Sequence, residues 1–110
     1  MTIAYADFDK VEMRVGRVAR VEGFSKARKP AYKLWIDFGE LGIKQSSAQL
    51  TALYQREALI GRQVIAVTNF PPKQIADFKS EVLVLGVPDQ EGRVTLLGPD
   101  HEVPLGVRVF

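Results

Sequence analysis

The sequence predicts an all-β protein, a small five-stranded barrel with one helix placed between its third and fourth strands. Three observations predict it. Apolar and charged residues alternate with period two in two stretches of the first half, residues 11–22 and 33–38. A single stretch of helical spacing interrupts that pattern at residues 46–61. Two apolar, β-branched runs follow, at residues 63–70 and 81–87. At 110 residues the chain fits one domain, residues 1–110, with enough length for a real core.

The elements follow in order. Residues 11–22, "VEMRVGRVARVE", alternate, with Val11, Met13 and Val15 on one face. The alternation changes phase after Gly16, since Val18 falls on the other face. A glycine at a phase change predicts a bulge or sharp bend in one long, curved strand. "GFSKARKPAY" is a cationic loop. In Lys33–Phe38, Leu34, Ile36 and Phe38 point one way and Lys33, Trp35 and Asp37 the other. "GELG" is a turn, and residues 43–45 form a short third strand. In "SSAQLTALYQREALIG", Leu50, Leu53 and Tyr54 recur at helical spacing, Ser46 or Ser47 is the N-cap, and Gly61 suits the stop. The runs at 63–70 and 81–87 read as strands buried on both faces, "RVTLLG" as a further short strand, and the tail "EVPLGVRVF" as extended. Three strands, a helix and two more strands, with a bend in the first, is the order of an OB-fold Greek-key barrel. Another Greek-key sandwich is the rival, but it does not ask for a helix there.

Several classes of chemistry have no support. The chain has no cysteine, so no disulfide, thiolate metal site or cysteine nucleophile. His101, the one histidine, sits in a turn-like segment with no second ligand for a metal. No phosphate-loop, dinucleotide or Gly-x-Ser-x-Gly pattern is present. The expectation is therefore a protein that is not an enzyme, uses no cofactor and binds no metal. The start "MTIAYADFDK" lacks a basic region followed by an apolar one, and no apolar run is long enough to span a membrane. A cytoplasmic protein without membrane insertion is expected.

The charge is informative. The net charge is +2, yet residues 10–33 hold eight basic and two acidic residues. That segment suggests an anionic partner, against the plainer reading of a solvated strand face. Lys26, Arg28 and Lys29 lie in the loop between the first two strands. In OB-folds that loop and the loop between strands four and five flank the ligand groove. The second loop reads "TNFPPKQIADFKSE", and it would set Lys73 and Lys79 opposite Arg28 and Lys29. Its double proline should make residues 70–73 stiff and extended. Trp35, beside Lys33, suits stacking or an apolar ligand, unless the helix or a second subunit covers it. Phe70, Ile75 and Phe78 could add apolar pockets. Ile3, Tyr5 and Phe8 before the barrel, and Val107, Val109 and Phe110 after it, either lie on their own barrel or join a second subunit; a symmetric homodimer is favoured.

"RVGRV", "KLWIDFG" and "NFPPKQIADFKSEVLVLG", in that order, resemble the tRNA-binding OB domain found at the end of methionyl-tRNA synthetases, in synthetase cofactors and as free-standing proteins. "GIKQSSAQLT" and "QVIAVTNFPPKQIADFKSEVLVLGVP" are similar to one branch, the CsaA export-related chaperones. The resemblance covers residues 7–110. It implies an OB-fold homodimer that binds unfolded or precursor polypeptides, with a link to the export machinery, or alternatively the tRNA elbow without sequence preference. The family's tRNA-contacting positions fall on Arg28, Lys33, Ser46, Ser47, Asn69, Lys73, Lys79 and Ser80. Relatives tend to have Ser-Gly after strand three and Ser-x-Gly-Met at the last loop, where this chain has Ser47-Ala48 and Ser80-Glu81-Val82-Leu83. These departures bear on tRNA binding and leave the fold untouched.

Overall fold

The computed structural model describes residues 1–110. A short helix, α1 (Tyr5–Asp9), precedes strands β1 (Met13–Gly23), β2 (Tyr32–Asp37) and β3 (Ile43–Ala48), with a 3-10 turn (Gly39–Leu41) between the last two. A one-turn helix α2 (Arg56–Leu59) leads to β4 (Gln63–Val67). Then come β5 (Lys73–Ile75), β6 (Phe78–Ser80), β7 (Leu83–Val84), β8 (Gly86–Pro88) and β9 (Val94–Leu96). Five strands form one antiparallel sheet in the order β3-β2-β1-β4-β7, curled into a nearly closed barrel of OB-fold type. β5 pairs with β6, and β8 with β9, as separate two-stranded ribbons.

The inward face of β2 fills the barrel. Leu34, Ile36 and Phe38 are fully buried with Val18, Val64 and Leu59. Gly16 belongs to this packing, because a Cβ there would stand 2.5 Å from Ile36 Cγ2 and 2.7 Å from a Phe38 ring carbon. The pairing of β1 with β4 runs through Gly16 without a shift, and the register breaks between Val18 and Arg20 instead. The expected bulge is thus displaced by a few residues. Gly16 is small because the core is full there, and Ala19 supplies the extra residue that bends the strand.

The helix also differs from expectation. β3 runs on to Ala48, so Ser46 and Ser47 are strand residues and cap nothing. Only residues 56–59 are α-helical, and the turn at 51–53 leaves Leu53 exposed. The reason is tertiary pairing, which overrides a local capping preference. β3 meets residues 79–82 across the barrel's closing gap. Glu81 N–H donates to Gln45 O at 2.8 Å, and Gln45 N–H donates to the Glu81 carboxylate at 3.0 Å. The Ser46 hydroxyl donates to Val82 O at 2.8 Å, and Ser47 N–H to Ser80 Oγ at 3.0 Å. Side chains thereby complete a closure that the backbone ladder leaves irregular. Gly61, with φ +89°, ends α2 as the sequence suggests.

Two further segments depart from the sequence reading. Residues 70–80 are not a plain extended loop: after the double proline the chain forms the β5–β6 hairpin, with Ala76 at φ +52° in its tip. The run 81–87 is not buried on both faces. Val82 is buried, Leu83 and Val87 are exposed, and the run divides between β7 and β8.

The tail lies along its own barrel. Val15 N–H donates to Val107 O, Gly106 N–H to Val15 O and Val109 N–H to Met13 O, all within 2.8–3.0 Å. It therefore covers the edge of β1 that β4 leaves free. The side chains of Ile3, Tyr5, Val107 and Phe110 are exposed, while those of Phe8 and Val109 are partly buried.

Candidate binding groove

The β1–β2 loop and the β5–β6 hairpin both line an open groove of about 1300 Å³. Lys26, Arg28 and Lys29 stand on the loop side; Phe70, Pro71, Lys73 and Ile75 stand on the hairpin side. Leu50, Val82, Val84, Val94 and Leu96 make an apolar floor, with Ser47, Gln49 and Ser80 as polar points. Phe70 and Leu83 are each about half exposed, at 49% and 50%. Glu81 is the one acidic residue lining the groove, and its carboxylate accepts from Gln45 N–H.

Two contacts set the position of the hairpin. Lys26 Nζ lies 2.8 Å from Asp77 at the hairpin tip. That hydrogen bond holds the Asp77 carboxyl below the usual carboxylate range and raises Lys26 in return. Beneath it, Phe24, Ala31 and Phe78 form a small apolar cluster outside the barrel, joined by Ala27, Trp35 and Ile75. Phe78 meets Phe24 edge-on with centroids 5.5 Å apart. Lys33 Nζ sits over the Phe24 and Phe78 rings, and the Arg20 guanidinium covers Trp35 at 4.5 Å.

The groove therefore brings together Lys26, Arg28, Lys29, Ser47, Phe70, Lys73 and Ser80 of the sequence-predicted residues. It leaves out six. Ser46 is buried in the barrel closure. Asn69 is engaged elsewhere: its side-chain oxygen accepts from Glu12 N–H at 2.9 Å, and its amide donates to Lys10 O at 2.7 Å. Phe78 is buried, and Trp35 and Lys33 pack against it, so these three hold the hairpin to the outer face of β2. What covers Trp35 within the chain is the hairpin and Arg20. Lys79 alternates with Phe78 on β6 and is exposed away from the groove lining. Sequence reading missed Leu83, which sat inside a run that looked buried on both faces. It also missed the floor from Val94 and Leu96, because nothing local shows that β9 folds back beneath the hairpin.

No cluster of three His, Cys, Asp or Glu side chains is placed to hold a metal ion, and no helix is long and apolar enough to cross a membrane.

A nearly closed five-stranded barrel with a groove between these two loops defines a binding module of the OB class. The family model "Putative tRNA binding domain" matches residues 13–108, and the chain belongs to that family. Among solved structures it is similar to the chaperone CsaA from Bacillus anthracis, with 52% identity, a TM-score of 0.94 and 100% of each chain covered. It is also similar to the CsaA chaperone protein from Picrophilus torridus, with 52% identity, a TM-score of 0.92, and 99% of this chain and 100% of that chain covered. The methionine–tRNA ligase of Pyrococcus abyssi is 36% identical over 109 residues, which are 99% of this chain and 15% of the ligase. That of Nanoarchaeum equitans is 37% identical over 109 residues, covering 97% and 13%. The chain thus spans about one seventh of the length of the ligases it matches.

Proposed function

We propose that this chain is a CsaA-like molecular chaperone that binds unfolded or precursor polypeptides and assists their export. The observation that carries the reading is the composition of the groove. Its floor is apolar, its two half-exposed apolar side chains are Phe70 and Leu83, and its walls are cationic. Apolar surface with a few polar points suits an extended polypeptide, which gains by burying side chains. The 52% identity to two chaperones over essentially the whole chain supports it. In this reading the chain acts as one domain, residues 1–110, without catalytic residues or a cofactor, in the cytoplasm. It pairs as a homodimer through the exposed Ile3, Tyr5, Val107 and Phe110, with Phe8 and Val109 beside them.

The second reading is a structure-specific, sequence-independent tRNA-binding module. The family match and the cations Arg28, Lys29 and Lys73 favour it. The engagement of Trp35 and Phe78 within the protein counts against base stacking, and leaves Phe70 as the one aromatic ring lining the groove.

Fluorescence anisotropy with a labelled unfolded precursor and with labelled tRNA, each across a salt series, separates the two. The chaperone reading expects polypeptide binding that survives moderate salt. Tight tRNA binding with a log–log salt slope of roughly −0.7 to −0.9 per phosphate, and no polypeptide binding, overturns it.

A further inference from the structure

Most cations of this chain are already engaged. Lys10, Arg14, Arg17, Arg20, Lys26 and Arg93 pair with carboxylates. Lys33 and Arg62 lie over aromatic rings, and Arg108 donates to Asp9 O. Of the 15 Lys and Arg residues, six have no such partner, and three of those six, Arg28, Lys29 and Lys73, line the groove. They come from two different elements, Arg28 and Lys29 from the loop and Lys73 from the hairpin, and share the lining with its apolar residues. Glu81, the one carboxylate in the lining, accepts from Gln45 N–H and keeps its charge, so three unpaired cations stand against one anion.

We infer that the groove selects extended polypeptide segments in which apolar residues are flanked on both sides by aspartate or glutamate. The inference rests on the polypeptide reading above and adds which polypeptides. An apolar segment lying on Leu83 and Phe70 carries its flanking residues past Arg28 and Lys29 of the loop and Lys73 of the hairpin. Acidic flanks meet unpaired cations there; basic flanks meet like charge, which costs affinity and rejects the wrong segment. The volume, about 1300 Å³, exceeds the roughly 300–1,000 Å³ typical of small-molecule sites and so fits a segment of chain. A nucleic acid would satisfy the cations, but the lining offers its bases one aromatic ring, Phe70, against a mainly aliphatic floor. The polypeptide is therefore the better match to both features.

The test uses two fluorescein-labelled synthetic peptides with the same Leu-Val-Phe-Leu centre, one flanked by glutamates and one by lysines, titrated with the full chain at low and moderate salt. The acidic peptide should bind at least about fivefold more tightly at low salt, with the gap narrowing as salt rises, since rim charges contribute modestly and are screened. Arg28→Glu with Lys73→Glu should reverse the order. If that variant does not fold by circular dichroism, Arg28→Gln with Lys73→Gln should abolish the preference while both peptides still bind. Binding of both peptides with equal affinity in the native chain overturns this inference and leaves the chaperone reading standing. Failure of both peptides to bind overturns both. Displacement of the acidic peptide by tRNA at lower concentration than by unlabelled acidic peptide assigns the cations to phosphate and also overturns it.

Discussion

Trp35 stands edge-on to Phe78, with ring centroids 6.0 Å apart and ring planes inclined by 83°. The chain's single tryptophan therefore reads the docking of the β5–β6 hairpin on the barrel. Removing a buried phenylalanine typically costs about 3–5 kcal/mol, more than a two-stranded hairpin holds in isolation. Phe78→Ala should detach the hairpin, move Trp35 emission to the red and weaken polypeptide binding roughly tenfold or more, while the barrel stays folded. Unchanged emission and affinity would show that the hairpin is held by something else.

Gly16 tests the packing of the barrel. Gly16→Ala drives a methyl into Ile36 and Phe38, both fully buried, and should lower stability by about 1–3 kcal/mol in urea unfolding. A variant as stable as the parent would mean that the core around Phe38 yields more readily than its packing indicates.

Ser46→Ala separates closure from binding. Its hydroxyl is buried and bonded to Val82 O, so the substitution leaves that carbonyl without a partner and should cost about 1–3 kcal/mol. Polypeptide affinity at a temperature where the variant is folded should not change. A loss of affinity at full occupancy of the folded state would return Ser46 to the ligand-contacting set.

The Lys26–Asp77 contact predicts a shallow acid limb. A carboxyl held below its usual range stabilises the folded form at neutral pH, and that contribution is lost as pH falls through its folded value. The raised Lys26 contributes until pH rises through its own folded value. Hairpin docking should thus be level across neutral pH and weaken in acid. Both groups are exposed, so the effect should be small and fade with salt. Asp77→Asn should flatten the acid limb of Trp35 emission; an identical limb would assign it to other carboxylates, Glu12 among them, which its hydrogen bond from Arg14 also holds low.

The tail predicts two separable effects. Ending the chain after Leu105 removes the backbone partners of Met13 and Val15, and should lower stability whatever the oligomeric state. Tyr5→Glu with Phe110→Glu leaves those bonds intact and, on the homodimer reading, should yield monomers in sedimentation. A dimer that survives the double change places the interface elsewhere.

Much of the barrel was legible in the sequence because it is written in period two. Leu34, Ile36 and Phe38 alternate cleanly and are fully buried, and the element order pointed to the OB-fold. Local signals failed where long-range pairing decides. Ser46 and Ser47 look like caps, but their partners, Val82 and Ser80, lie more than thirty positions away. The groove was legible through its loops: Lys26, Arg28, Lys29 and Lys73 do converge. Trp35 and Phe78 were read as ligand surface since exposed-face aromatics invite that reading, and only the folded hairpin shows that they satisfy each other.

The pairing of Gly106–Val109 with Met13 and Val15 also has a bearing on how the chain is made. β1 leaves the ribosome before every other strand, yet its free edge waits for residues almost a hundred positions later. Until those residues are made, a strand edge of alternating apolar residues is thus open to any neighbouring extended segment, including another nascent copy. Residues 106–109 act as a lock on a strand made far earlier, so a translation product interrupted before them, with every barrel strand already present, would still carry an adhesive edge.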